Sequence, residues 1–223
     1  MPAAPPSVLA GAVIVVDPGH NGGNASHGRD IARTVDAGGF EKACNTAGAA
    51  TAAGYSEAAF AWDVAVRVRA LLEAAGATVI LTRPDNEGVG PCIDQRGRTA
   101  AESGASLLLS LHADGSPRGS GFHVIAPAAR AGWTESTAPP SAELARTLRD
   151  ALVSDGFSPA NYIGSDGVDV RGDLGTLNWA GTPAVIVECG NMLNRDDAAV
   201  MSSEDGRQRI ADALVAGVAA YLG

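Results

Sequence analysis

Apolar residues in this chain fall into two kinds of run. Three runs are unbroken: Val13-Ile14-Val15-Val16, Leu107-Leu108-Leu109 and Ala184-Val185-Ile186-Val187. Each leads into polar groups, at Asp17-Pro18-Gly19-His20, Ser110-Leu111-His112 and Glu188. Runs of β-branched and leucine residues without polar alternation read as strands buried on both faces, as in a parallel sheet. The other runs have helical spacing. Phe60, Ala61, Val64, Val68, Leu71, Leu72 and Ala75 predict a helix from Ser56, with Glu57 in its first turn and Gly76 as its stop. Leu144, Leu148 and Leu152 predict one over 141–153 with Ser141 as N-cap, and Ile210, Leu214, Val218 and Tyr221 one over 205–221. Further strands are expected at 78–82 and 121–126, a short one within 166–177, and a helix over 93–102 ended by Gly104.

Strands alternating with helices imply an α/β domain whose sheet is mostly parallel, with helices on both faces. Ligands in such sheets bind outside the carboxyl ends of the strands, where His20, His112 and Glu188 would meet. Residues 21–55 break the alternation: they show no sustained period and read as a loop, with room for a short hairpin. Structureless connections of that length are functional or covalently tied.

Composition narrows the class. A length of 223 residues suits one domain, with 1–10 as a flexible Pro/Ala-rich segment and 11–223 as the folded unit. The net charge of −9 argues against nucleic acid or an anionic membrane surface as partner, and no apolar run is long enough to span a membrane. Residues 1–10 lack a basic start and an apolar core, so they are no secretion signal. The protein is therefore either cytosolic or one whose signal has been removed. Cys189 follows Glu188 and is expected to be buried. Cys44 and Cys92 lie in Gly/Pro-containing segments where they could pair, which would imply an oxidising compartment; three unrelated thiols is the alternative.

His20, His112 and Glu57 could give one zinc ion a His₂Glu set with an open fourth position, and Glu188 could serve beside it as general base. Taken singly, each has a blander reading. A histidine after a strand is often a loop residue, and Glu57 suits a helix N-terminus. Glu188 resists dismissal, because an acid directly after four apolar strand residues is costly unless paired or set in a cleft.

In chain order, Val15-Val16-Asp17-Pro18-Gly19-His20, then Glu57 with Arg83 closing Thr78-Val79-Ile80-Leu81-Thr82-Arg83, then Ser110-Leu111-His112-Ala113-Asp114, then Val187-Glu188-Cys189-Gly190-Asn191 resemble the zinc-dependent N-acetylmuramoyl-L-alanine amidases of the amidase-3 family. The likeness covers nearly the whole chain and is nearest to the actinobacterial, mycobacterial-type form. It implies a six-stranded sheet and an amidase-3-like catalytic domain over 11–223. It also implies one Zn²⁺ on His20, Glu57 and His112, with Glu188 as the catalytic glutamate. The activity implied is hydrolysis of the amide between N-acetylmuramic acid and L-alanine in peptidoglycan or its fragments.

The stretch between His20 and Glu57 is far longer than the family's usual one, and Glu41-Lys42 within it imitates the family's Glu-Lys start. Glu57 is preferred, because its spacing to Leu71, Gly76 and Arg83 reproduces the family's helix and strand. Arg83, Arg96, Arg171 and Asp114 are candidates for binding the stem peptide, and His27 and His123 read as non-ligands. The protein is expected to be exported to the periplasm or cell wall and to act as a monomer. Two other functions stay open: a non-catalytic muropeptide-binding regulator, and a metallopeptidase or deacetylase using the same metal.

Overall fold

The structure, a computed structural model, describes residues 8–223. Its elements in chain order are β1 (Val13–Pro18), α1 (Gly28–Ile31), β2 (Thr34–Asp36), β3 (Glu41–Ala43), α2 (Glu57–Ala74), β4 (Thr78–Leu81), α3 (Ile93–Ser103) and β5 (Leu107–Asp114). There follow β6 (His123–Pro127), α4 (Ala138–Ser154), β7 (Val168–Arg171), α5 (Gly175–Asn178), β8 (Ala184–Asn191), α6 (Arg195–Ser202) and α7 (Glu204–Leu222). The three unbroken apolar runs become β1, β5 and β8, which lie side by side in a six-stranded sheet of order β4-β1-β5-β8-β6-β7. Every neighbouring pair is parallel except β6 with β8.

The two faces of the sheet are covered unequally. Alternate residues of a strand point to opposite sides, and Ile14, Val16, Leu107, Leu109, Val124, Val185 and Val187 pack with α2, α4 and α7 into the larger core. Val15, Leu108, Ile125, Ala184 and Ile186 face the other way into a smaller cluster closed by Ala100, Leu177 and Ala180. Followed towards the strand ends, this second face carries Asp17, Ser110, His112 and Glu188. Its thinner cover leaves the cleft open there.

Several expectations are corrected. Ser141 is no N-cap: α4 begins three residues earlier at Ala138 with Thr137 before it, and Ser141 is buried, its hydroxyl donating to Thr137 O at 2.7 Å and accepting from the amide of Ala184 at 2.9 Å. Pro139 and Pro140 mimic a helix break but fit the first turn, where backbone N–H groups have no intrahelical acceptor. Strands β5 and β8 run on to Asp114 and Asn191, so His112 and Glu188 stand inside the ladder near its end. The 21–55 stretch contains α1 and an antiparallel β2–β3 hairpin. Of the N-terminal segment expected to be flexible, residues 1–7 lie outside the described residues. Leu9 is buried in the larger core, and its amide donates to Ala75 O at 3.1 Å.

Candidate metal centre and cleft

At the end of β1 the chain turns sharply. Gly19 has no room for a side chain, since a Cβ there would lie 2.4–2.6 Å from the His112 ring. His20 follows in the left-handed region at φ 56°, which a non-glycine residue holds only when its surroundings over-determine it. Here they do. Arg96, fully buried, donates to Pro18 O at 2.7 Å and His20 O at 2.6 Å, and Arg83 donates to Pro18 O at 2.9 Å and to Ala58 O in α2 at 2.9 Å. Asp17 anchors the group by accepting from Arg96 at 2.7 Å, Ser110 at 2.6 Å and Thr82 at 2.5 Å. Burial and the neighbouring Arg96 charge push Arg83 down to about 10, so it stays protonated at neutral pH. Arg83 and Arg96 are therefore not the peptide-binding cations the sequence suggested, because their donors are spent on backbone carbonyls beneath the site.

The His20 ring is aimed from behind: its Nδ1 donates to Thr46 O at 3.0 Å, which turns Nε2 towards Glu57 and the cleft. Glu57 enters from the first turn of α2, whose N-cap Ser56 accepts from the amide of Ala59. Its Oε2 accepts the amide of Ala49 at 2.7 Å, and its Oε1 lies 3.0 Å from His20 Nε2 and 2.8 Å from His112 Nδ1. His20, Glu57 and His112 form a potential metal site, their ligand atoms all within 4.8 Å of one another. Gly48, at φ +81°, completes the cradle: a Cβ there would come within 2.9 Å of both Glu57 Oε2 and His20 Cδ2.

The donor set suits a cation. Burial would raise the Glu57 carboxyl, but hydrogen bonds from His112 and His20 outweigh it and hold the group well below the usual carboxylate range. Burial would lower His20, but the hydrogen bond to Glu57 and its charge raise it. A buried carboxylate between two imidazoles wants positive charge beside it, so the set suits a metal cation on its open side. That side opens on a cavity of about 390 Å³ lined by Ile93, Ile125, Ile186, Asp114 and Arg171. The long loop also contributes lining, through Lys42, Thr46, Gly48 and Ala49. Glu41, the rival ligand, is exposed on β3 and outside the ligand set.

Glu188 lies in the same cavity. Burial, reinforced by the charges of Glu57 and Asp114 and opposed by Arg171, pushes its carboxyl well above the ordinary value, and its Oε2 has no hydrogen-bond partner among the described residues. Asp114 stands at the cavity edge with its carboxylate accepting the amide of Gly115 at 2.7 Å. Arg171 is half-exposed at the cavity and grips Asp173 through two bonds of 2.9 and 2.7 Å. Lys42 joins Asp173 from the hairpin at 3.0 Å. His27 is exposed and bonded to Gly23 O, so it is no ligand. His123 is outside the ligand set and buried on β6, where it meets the ring of Tyr162 edge-on at 6.1 Å. Cys44 and Cys92 are joined in a disulfide, with Cα atoms 4.4 Å apart, and Cys189 is free and buried.

Comparison with known proteins agrees with this geometry. A curated N-acetylmuramoyl-L-alanine amidase of Mycobacterium tuberculosis is 44% identical over 98% of this chain and 90% of its own. The crystal structure of the N-acetylmuramyl-L-alanine amidase Ami1 from Mycobacterium smegmatis superposes with a TM-score of 0.90 at 42% identity, covering 96% of this chain and 98% of that one. The apo form of Ami1 from Mycobacterium abscessus gives 0.91 at 41% identity, covering 96% and 100%. The Amidase_3 family model, described as N-acetylmuramoyl-L-alanine amidase, matches residues 14–220, and with a match over nearly its whole length the chain belongs to that family.

Proposed function

We propose that this member of the family hydrolyses the amide between N-acetylmuramic acid and L-alanine in peptidoglycan or its fragments, with one zinc held by His20, Glu57 and His112 and with Glu188 as the base. The observation that carries the reading is the convergence of three ligand atoms within 4.8 Å in the cavity that also holds a glutamate whose Oε2 is buried without a hydrogen-bond partner among the described residues. Zinc bound to such a set supplies a Lewis acid that polarises a carbonyl and acidifies a water. The chain's own residues do the rest. Thr46 fixes the His20 tautomer, and the amide of Ala49 holds the Glu57 carboxylate. Glu188, with its raised proton affinity, is suited to take a proton from the attacking water and return it to the leaving amine. Arg171 and Lys42, sharing Asp173 at the cavity mouth, would meet carboxylates of the stem peptide, and Asp114 lies across from them.

A non-catalytic muropeptide binder would have no use for an acid buried at position 188, and this favours the enzyme. The Cys44–Cys92 disulfide supports export to an oxidising compartment. The test is metal analysis followed by hydrolysis of N-acetylmuramoyl-L-alanyl-D-isoglutamine by the parent and by Glu188→Ala. One zinc per chain and a loss of about 10² or more in rate with zinc retained are expected. Equal rates, or a metal-free protein as fast as the loaded one, would overturn the reading.

A further inference from the structure

Strand register places three ionisable side chains in one row. His112 of β5 is paired with Glu188 of β8, and Glu188 is paired in turn with His123 of β6. Residues directly opposite each other share a face, with Cβ atoms about 5 Å apart. Glu188 therefore sits between a candidate metal ligand on one side and an uncommitted histidine on the other. His123 is 2% exposed, and its Nδ1 has no hydrogen-bond partner among the described residues. Glu188 Oε2 is buried and unpartnered as well. Buried polar atoms are rarely left unpaired, because an unpaired one keeps its full desolvation cost. Two such atoms on residues paired across the sheet call for a common partner. A single buried water typically makes about three hydrogen bonds to groups of this kind.

We infer that His123 is a positioning residue for Glu188, holding its carboxylate through one water bridged to the imidazole Nδ1, so that the base faces the open side of the metal centre. The inference rests on the reading of Glu188 as the base. On the far side of Glu188 the row offers only His112, which is turned to Glu57 at 2.8 Å. His123 is the polar side chain on β6 paired with Glu188, and a misplaced base costs rate while leaving substrate affinity alone.

The test is a double-mutant cycle on muramyl dipeptide hydrolysis with His123→Phe, Glu188→Gln and both together, kcat and KM being measured in each. Phe keeps the volume of the ring and removes the polar nitrogen. The expected result is a fall in kcat of about tenfold for His123→Phe with KM within about twofold, no further fall when it is added to Glu188→Gln, and partial recovery in His123→Gln. Thermal melts establish that each variant is folded, and His123→Leu replaces Phe if Phe overpacks the site. Unchanged kcat in a folded His123→Phe protein, or the same fold loss in both backgrounds, would overturn the inference alone. A Glu188→Gln protein as active as the parent would instead overturn the assignment of the base, and the inference with it.

Discussion

Arg96 donates from its guanidinium to the carbonyl oxygen of His20 at 2.6 Å, across 76 residues of sequence. The same guanidinium meets Asp17, so one cation fixes the backbone of a metal ligand and neutralises a buried acid. Removing one partner of a buried pair leaves the other charge uncompensated, at a cost of about 3–5 kcal/mol. Arg96→Met should lose that much stability in urea titrations. Arg96→Lys should fold better yet bind zinc more weakly, by about tenfold or more in chelator competition, because the three donors of one ammonium cannot reach the four acceptors that the guanidinium spans, Pro91 O, Asp17, Pro18 O and His20 O. Parental zinc affinity in Arg96→Lys would contradict this.

The acid partner gives a pH dependence with a defined sign. Burial would raise Asp17, but the Arg96 charge and the hydrogen bonds from Ser110 and Thr82 outweigh it and lower the folded value below the ordinary 3.8. In the window below that value the unfolded chain binds the proton first, so stability falls as pH falls. The contribution of Asp17 is complete above the ordinary value and is lost beneath it. Urea midpoints of the parent and of Asp17→Asn should differ most at about pH 6 and approach each other at about pH 3. A constant gap would show that Asp17 stabilises by shape rather than charge.

Gly48 tests the cradle. Alanine there meets two penalties, a left-handed backbone costing roughly 1–2 kcal/mol and a Cβ 2.9 Å from Glu57 Oε2 and His20 Cδ2. Gly54 supplies the control, since it has φ +85° and nothing within 4 Å of a Cβ. Both alanine variants should lose stability, Gly48→Ala the more, whereas zinc affinity should fall, by about tenfold, only in Gly48→Ala. Calorimetric zinc titration of the two proteins makes the comparison.

The ends of the three buried strands are legible because apolar runs without polar alternation carry their own signal, and Glu57 is legible from its place in the first turn of a well-spaced helix and its spacing to Leu71, Gly76 and Arg83. What escaped was set by contacts far apart in sequence. Arg83 and Arg96 carry the charge of surface residues, and only the fold shows them buried under β1. His123 lies inside an apolar strand, where no local pattern separates a packed histidine from one paired with Glu188 across the sheet. Helix α6 is eight residues long, and its start is marked by Asn194 accepting from the amides of Asp196 and Asp197, a cap readable only once the helix is suspected. The loop residues Thr46 and Gly48 serve through a backbone carbonyl and a missing Cβ, which residue type alone does not announce.

The disulfide closes the long loop onto the start of α3, where the amide of Ile93 also donates to Cys44 O at 2.9 Å. Replacing both Cys44 and Cys92 with serine should cost about 2–5 kcal/mol, read as a lower melting temperature. Reductant should lower the parent's melting temperature by a similar amount and leave the double variant unmoved. Because the loop carries Thr46, Gly48 and Ala49 to the metal site, zinc affinity should fall in step with stability. A parent insensitive to reductant under conditions that break the bond would refute the role given to it.

Charge bears on where the proposed amidase would work. The chain carries 16 basic and 25 acidic residues, a net of −9, so its mean field repels a polyanionic wall. Within these 223 residues the exposed cations near the cleft are also partly spent, Lys42 and Arg171 both being paired with Asp173. Affinity must then come from the cleft itself, and a cavity of about 390 Å³ engages one muropeptide at a time. Purified sacculi should therefore retain little of the protein at physiological salt, and lowering the salt should not increase retention, because weaker screening strengthens like-charge repulsion. Turnover should be faster on soluble fragments than on intact wall at equal concentration of cleavable bonds. Tight, salt-sensitive pull-down on sacculi would reveal a wall-binding surface and overturn this expectation.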